Sequence, residues 1–229
     1  MVPNWGDEGT RRRMLVVPVL YFLFYMICFV LLEEYVRPKY WIASDLDAYI
    51  PFCAAFLIPY LAWFLLVPGM CWYFYKRDPE QYLYLCRMII VGLTICLALY
   101  AIFPNGQLLR RPIIGDDILS RLVILLRKTD TPTNVCPSIH VFVTVSIALA
   151  VARSRAMSGQ VRRQAALMAL SVLICLSTVF LKQHSVVDVA CGTALSLALD
   201  VVIRRTQLCM GLFQADPFRR KSKKTAMGS

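Results

Sequence analysis

The chain has 229 residues, of which 59% are hydrophobic and 17% charged, with a net charge of +11. Its apolar residues come in long continuous runs, which argues against both a water-soluble domain and a β-barrel of short alternating strands. The cations gather at the ends of those runs, so they mark a membrane surface and not a nucleic-acid partner.

Six stretches reach or approach the roughly 20 apolar residues needed to cross a hydrocarbon core: 14–33, 51–75, 84–103, 138–153, 165–183 and 185–203. They predict an all-α, polytopic membrane protein, with six transmembrane helices in one bundle and interfacial helices beside it. One membrane-embedded domain over 1–229 is expected, with no internal repeat and a basic cytoplasmic tail from about 206. The first stretch follows Arg11-Arg12-Arg13, as a signal peptide would. Its apolar run is too long for that role, and Glu33-Glu34 stands where a cleavage site would be, so it reads as a retained helix. With the amino terminus in the cytoplasm, 17 Lys and Arg fall on inner segments and 8 on outer ones, in the sense of the positive-inside bias. Both termini are then cytoplasmic. The basic run from Arg219 to Lys224 suits anionic lipid headgroups.

After the first span, Ser44-Asp45-Leu46-Asp47 reads as an N-cap with acidic first-turn residues, opening a short interfacial helix on the outer side. The second span carries Pro51, Pro59 and Pro68; it is expected to start at a proline and to kink further along. The longest connection, 104–137, opens with the turn signal Pro104-Asn105-Gly106-Gln107 and then reaches Arg110-Arg111-Pro112. From Asp116 to Lys128, residues Ile118, Leu119, Leu122, Leu125 and Leu126 share one helical face. Asp117, Ser120, Arg121 and Lys128 favour the other, as in a helix lying on a membrane. The fifth-to-sixth connection shrinks to Lys182, Gln183, His184 and Ser185, a tight turn. The nine cysteines include no Cys-x-x-Cys pair and mostly sit in apolar runs, as small buried hydrophobes do. Cys136 stands out only because it adjoins a histidine-bearing motif.

There are two histidines, His140 and His184. The charge-derived topology puts both at the outer face, although neither entered the charge count. Asp188 lies four residues beyond His184, one turn deeper on the same helical face. A carboxylate there can accept an imidazole N–H and fix the tautomer. Ionisable groups inside a span usually face the bundle interior and mark function. Asp200 is expected to pair with Arg204 and is given no role in the chemistry. A phosphate group suits this face: Ser138 offers a hydroxyl, the first turn of the fourth span offers N–H groups, and Arg110 or Arg111 with Lys182 offers charge. Two His and one Asp without further carboxylates make a poor metal site, so neither metal nor cofactor is expected.

Pro137-Ser138-Ile139-His140, followed by Ser177 and by Leu181-x-x-His184-x-x-x-Asp188, resembles the second and third motifs of the type 2 phosphatidic acid phosphatase superfamily. In motif it is most similar to the inositol phosphorylceramide synthase-like branch. The resemblance implies a metal-independent lipid phosphatase or phosphotransferase, with an extracytosolic site and a membrane lipid bearing a phosphate headgroup as substrate. His184 would be the nucleophile that forms a phosphohistidine, Asp188 its support, and His140 the acid that protonates the leaving alcohol. The chain departs from the pattern at Ile139, where the family has Gly, at Thr178, where Arg is expected, and at Pro104, which takes the place of a Lys if Arg111 is the first motif's Arg. The departures imply a rebuilt phosphate clamp, with Lys182 substituting, and favour a phosphodiester substrate or a transferase. Two other readings fit the same residues: a transporter using His184–Asp188 as a proton relay, and a catalytically inactive homologue.

Overall fold

A computed structural model describes residues 7–206. The basic run Arg219–Lys224, and the tail beyond Thr206, lie outside the described residues. The elements in chain order are α1 (Glu8–Tyr35), β1 (Tyr40–Trp41), α2 (Leu46–Tyr49), α3 (Leu57–Arg77), α4 (Pro79–Ile102), β2 (Asn105–Gly106), α5 (Ile118–Thr129), α6 (Ile139–Arg153), α7 (Val161–Phe180) and α8 (Val186–Thr206). The protein is all-α, and five of its helices (α1, α3, α4, α7 and α8) are long and apolar enough to cross a membrane, as expected of a multi-pass membrane protein. The remaining apolar stretch is α6, whose 15 residues extend about 22 Å at 1.5 Å per residue.

Helix ends follow their capping residues. Asp7 caps α1 by accepting from the Thr10 N–H at 2.9 Å and the Thr10 hydroxyl at 2.7 Å. A single residue, Asp78, separates α3 from α4; its carboxylate accepts from the Gln81 N–H, and Pro79 follows at a position where a missing N–H costs nothing. The second span does not start at Pro51. The Cys53 N–H is drawn to the Phe180 carbonyl at 3.0 Å, at the end of α7, and α3 begins only after a 3-10 turn over Ala54–Phe56. Pro59 then falls in the first turn of α3 and Pro68 inside it.

Helix α6 is the centre of the bundle and packs against α3, α4, α7 and α8. Two glycines let it in. A Cβ on Gly92 of α4 would stand 1.9 Å from the Phe142 ring, and one on Gly192 of α8 would stand 2.6 Å from the Ser138 carbonyl oxygen. Close approach through small residues is the principal source of helix association where lipid removes the hydrophobic drive. Phe142 and Ile147 are fully buried as a result.

Two connecting segments differ from their sequence reading. Residues 104–107, all buried, form no free-standing turn: Asn105 and Gly106 pair in parallel with the exposed Tyr40 and Trp41. Helix α5 is amphipathic, but its inward face centres on Val123, which is fully buried, with Ser120 beside it and Leu119 and Leu126 packed on Leu57, Tyr60 and Leu181. Ser120 is tolerated on the buried side because its hydroxyl and N–H both bond to the capping Asp117. Ile118, Leu122 and Leu125 remain exposed, a second apolar face directed away from the protein.

Candidate active site

The segment entering α6 and the turn entering α8 lie side by side. The Ser138 N–H donates to the Asp188 carbonyl at 3.2 Å, joining the first turns of the two helices. The ring centroids of His140 and His184 are 6.0 Å apart. His184 Nδ1 faces Asp188 Oδ2 at 3.4 Å, a long contact; the other ring nitrogen, Nε2, is thus directed away from the carboxylate. Asp188 is fully buried and His184 is 8% exposed. The imidazoles and the acid foreseen in the sequence therefore converge.

The turn bearing His184 is built from two helix ends. Lys182 adopts a left-handed conformation, with φ of 59°. Its N–H bonds to the Val179 carbonyl and that of Gln183 to the Thr178 carbonyl, the paired bonds of a Schellman stop for α7. The His184 N–H shares the Thr178 carbonyl at 3.0 Å. Helix α8 then starts with a reciprocal cap. Ser185 Oγ accepts from the Val187 N–H at 3.2 Å, while Asp188 reaches back to the Ser185 N–H at 2.8 Å. Asp188 thus serves helix and imidazole together.

Asp47 completes that cap from 138 residues away. Its carboxylate accepts from the Ser185 hydroxyl at 2.6 Å, the Val186 N–H at 2.9 Å and the Ser44 N–H at 2.8 Å. In the sequence it is only an acidic first-turn residue of α2; here it is buried and pins the turn that carries His184.

His140 sits in an aromatic setting supplied by α3. Its ring centroid lies 4.8 Å from Tyr60, 4.4 Å from Trp63 and 6.2 Å from Phe64. The three aromatics follow i, i+3, i+4 spacing and so share one helical face. The Tyr60 hydroxyl donates to Asp130 at 2.6 Å, and Asp130 lies 3.9 Å from the Arg110 guanidinium.

The expected phosphate-binding groups have a different distribution from the one foreseen. Ser138 is fully buried and is the N-cap of α6, its Oγ accepting from the Val141 N–H at 3.4 Å. That position commits its hydroxyl oxygen to the helix. Arg110 is engaged with the Asp130 and Thr131 carbonyls and with Gln183 Oε1, and burial draws its pKa down, opposed by Asp130. Lys182 donates to the Asp47 carbonyl at 2.7 Å; burial lowers its pKa, with Asp47 and Arg111 acting in opposite senses. Arg111 is exposed. A further cation, Arg127, was not foreseen: it reaches the Arg111 carbonyl at 2.8 Å and the Leu181 carbonyl at 3.2 Å. Around the histidines, His140 Nε2, Gln183 Nε2, Arg110 Nε and Trp63 Nε1 are buried without a protein hydrogen-bond partner. Buried polar atoms of this kind are costly unless a ligand or water uses them. No protein-family model, curated protein or solved structure matches this chain.

Two buried amides hold the segments that carry the histidines. Asn105 is fully buried; its Nδ2 donates to the Cys136 carbonyl at 2.9 Å, and its Oδ1 accepts from the Val135 and Cys136 N–H groups. Gln107 Nε2 donates to the Lys182 carbonyl at 3.0 Å. β2 and the residue after it thus hold the segment before His140 and the turn before His184. The only local signal was an Asn and a Gln flanking Gly106, whose Cβ would meet the Pro132 carbonyl at 2.8 Å. Burial and the neighbouring Asp188 and Cys191 push the Cys136 thiol up, keeping it protonated. Asp200, at the far end of α8, binds Arg153 through two contacts of 2.6 and 2.9 Å and Tyr84 at 2.7 Å, closer than the expected Arg204 at 3.2 Å. Among the described residues, no group of three His, Cys, Asp or Glu is placed to hold a metal ion.

Proposed function

We propose that this protein is an integral-membrane lipid phosphatase or phosphotransferase of the type 2 phosphatidic acid phosphatase kind. The observation that supports this most is the meeting of two imidazoles, 6.0 Å apart, on separate helices, one of them backed by Asp188. With its Nδ1–H held by Asp188, His184 presents the Nε2 lone pair to phosphorus. Attack forms the N–P bond and breaks the P–O bond to the lipid alcohol, whose oxygen takes a proton from His140. Neutral His140 then deprotonates water or an acceptor hydroxyl, which attacks phosphorus and releases His184. Water gives hydrolysis and an alcohol gives transfer. Arg110, Gln183 and Arg127 lie on the segments around the pair, and charge-assisted donors of this type stabilise the anionic transition state.

In this reading α6 also crosses, as the fourth of six spans, and its shortness sets His140 below the headgroup level. The charge bias of the connecting segments supports cytoplasmic termini and an extracytosolic site. The exposed apolar face of α5 would rest on the bilayer at that side. Purified protein incubated with a panel of phospholipids in EDTA is expected to release phosphate or to transfer a phospho-headgroup, as read by mass spectrometry. His184→Ala should abolish it; full turnover by that variant removes the nucleophile assignment. Flux of substrate across proteoliposomes without chemical change would favour the relay reading instead.

A further inference from the structure

A second cluster of charge lies at the opposite end of the bundle from the histidines. Helix α3 carries Trp63 beside His140 near its start and Arg77 at its end; α7 carries Arg163 near its start and leads into the His184 turn at its end. At 1.5 Å per residue these intervals amount to about 20–30 Å. Two adjoining cavities of about 660 and 610 Å³ open there, and both are lined by Tyr73, Arg77 and Arg163. Gln160 lines the first, and Lys76 with Trp72 lines the second. Neither lining contains a carboxylate.

The cations are held in place without being neutralised. Arg163 stacks over Tyr73 at 4.6 Å and Lys76 over Trp72 at 4.6 Å. Among the described residues, none of Lys76, Arg77 and Arg163 forms an ion pair. The N-cap of α7, Gln160, makes no side-chain cap bond, so the first-turn N–H groups add to the positive field. The second cavity runs along α3 from Arg77 back to Gly69, about two turns into the apolar zone. Trp72, exposed at its rim, is the residue type that marks a membrane interface.

We infer that these cavities form a binding site for an anionic phospholipid of the leaflet opposite the histidine pair. The phosphodiester would lie between Arg77 and Arg163, and hydrocarbon along Trp72 and Gly69. A free phosphate ion would satisfy the cations but leave the apolar extension unfilled.

The test uses the full chain carrying His184→Ala, so that no probe lipid is turned over. Native mass spectrometry in detergent compares phosphatidylglycerol, phosphatidylcholine and inorganic phosphate. One tightly held phosphatidylglycerol per chain is expected, and Arg77→Gln with Arg163→Gln should weaken it about thirtyfold while leaving phosphatidylcholine unchanged. Equal retention by the double variant, equal affinity for the two lipids, or displacement by inorganic phosphate at comparable concentration would overturn the proposal. A photoactivatable phosphatidylglycerol on the otherwise unaltered protein keeps the test independent of folding. Adducts within 69–77 and 156–163 are expected; adducts confined to 182–188 would refute it.

Discussion

Asp47 shows how much of a site is carried by residues with no chemistry of their own. Its carboxylate caps α8 from a distant part of the chain and so fixes Ser185, the residue that follows His184 and precedes that helix. Asp47→Ala leaves three donors, the Ser185 hydroxyl and the Val186 and Ser44 N–H groups, without their acceptor, and a lost cap costs about 1–2 kcal/mol. We expect a lower melting temperature and a kcat reduced about tenfold or more with KM little changed, because the nucleophile loses alignment before the lipid loses affinity. Asp47→Asn, which keeps one acceptor oxygen, should fall between. A melting shift with unaltered kcat would reduce Asp47 to scaffolding. The sequence could not disclose this role, since nothing local to Asp47 points to a partner 138 residues on. By contrast, His184 and Asp188 were legible as a pair from their spacing of four, although His184 lies in the turn before α8 and not on its face, and they meet because Asp188 reaches back across the cap. The Ser185-x-x-Asp188 cap obeys a local rule, and it gives the same carboxylate a second duty.

Among the elements, α6 owes its position to Gly92 and Gly192 more than to its own hydrophobicity. A methyl group at residue 192 meets backbone, the Ser138 carbonyl, so the start of α6 has to move. Gly192→Ala is therefore expected to separate His140 from His184 and to cut kcat about a hundredfold, while a protein of ordinary helical content still inserts. Circular dichroism and lipid turnover on the same sample check both halves; unchanged turnover would show that α6 shifts without consequence for the pair. Apolar runs revealed the spans because hydropathy sums over neighbours along the chain. They could not reveal where α3 starts, because that depends on a bond from Cys53 to the end of α7. Nor could they orient α5, whose composition supports two apolar faces. Its inward one was settled by Tyr60, Leu57 and Leu181.

For the molecule as a whole, the six-span reading makes a directional prediction. Asp116 and Ser158 are both exposed and lie on opposite sides of α6 in chain order. Asp116→Cys and Ser158→Cys should react with a membrane-impermeant thiol reagent from opposite sides of sealed vesicles, the first from the extracytosolic side. Labelling of both from one side would mean that α6 does not cross. The same layout sends the polar residues of the chain to two ends: Arg153, Tyr84 and Asp200 tie the helices together at one end, and the amides and carboxylates around His184 do so at the other. Sequence reading found the charged ends but not the amide pair, Asn105 and Gln107, which looks like an ordinary turn until its partners are known. That pair hands both imidazoles a single tether. Slackening it would unseat the two halves of the reaction in one event, so heat would be expected to silence the protein in a single step, with no half-competent survivor.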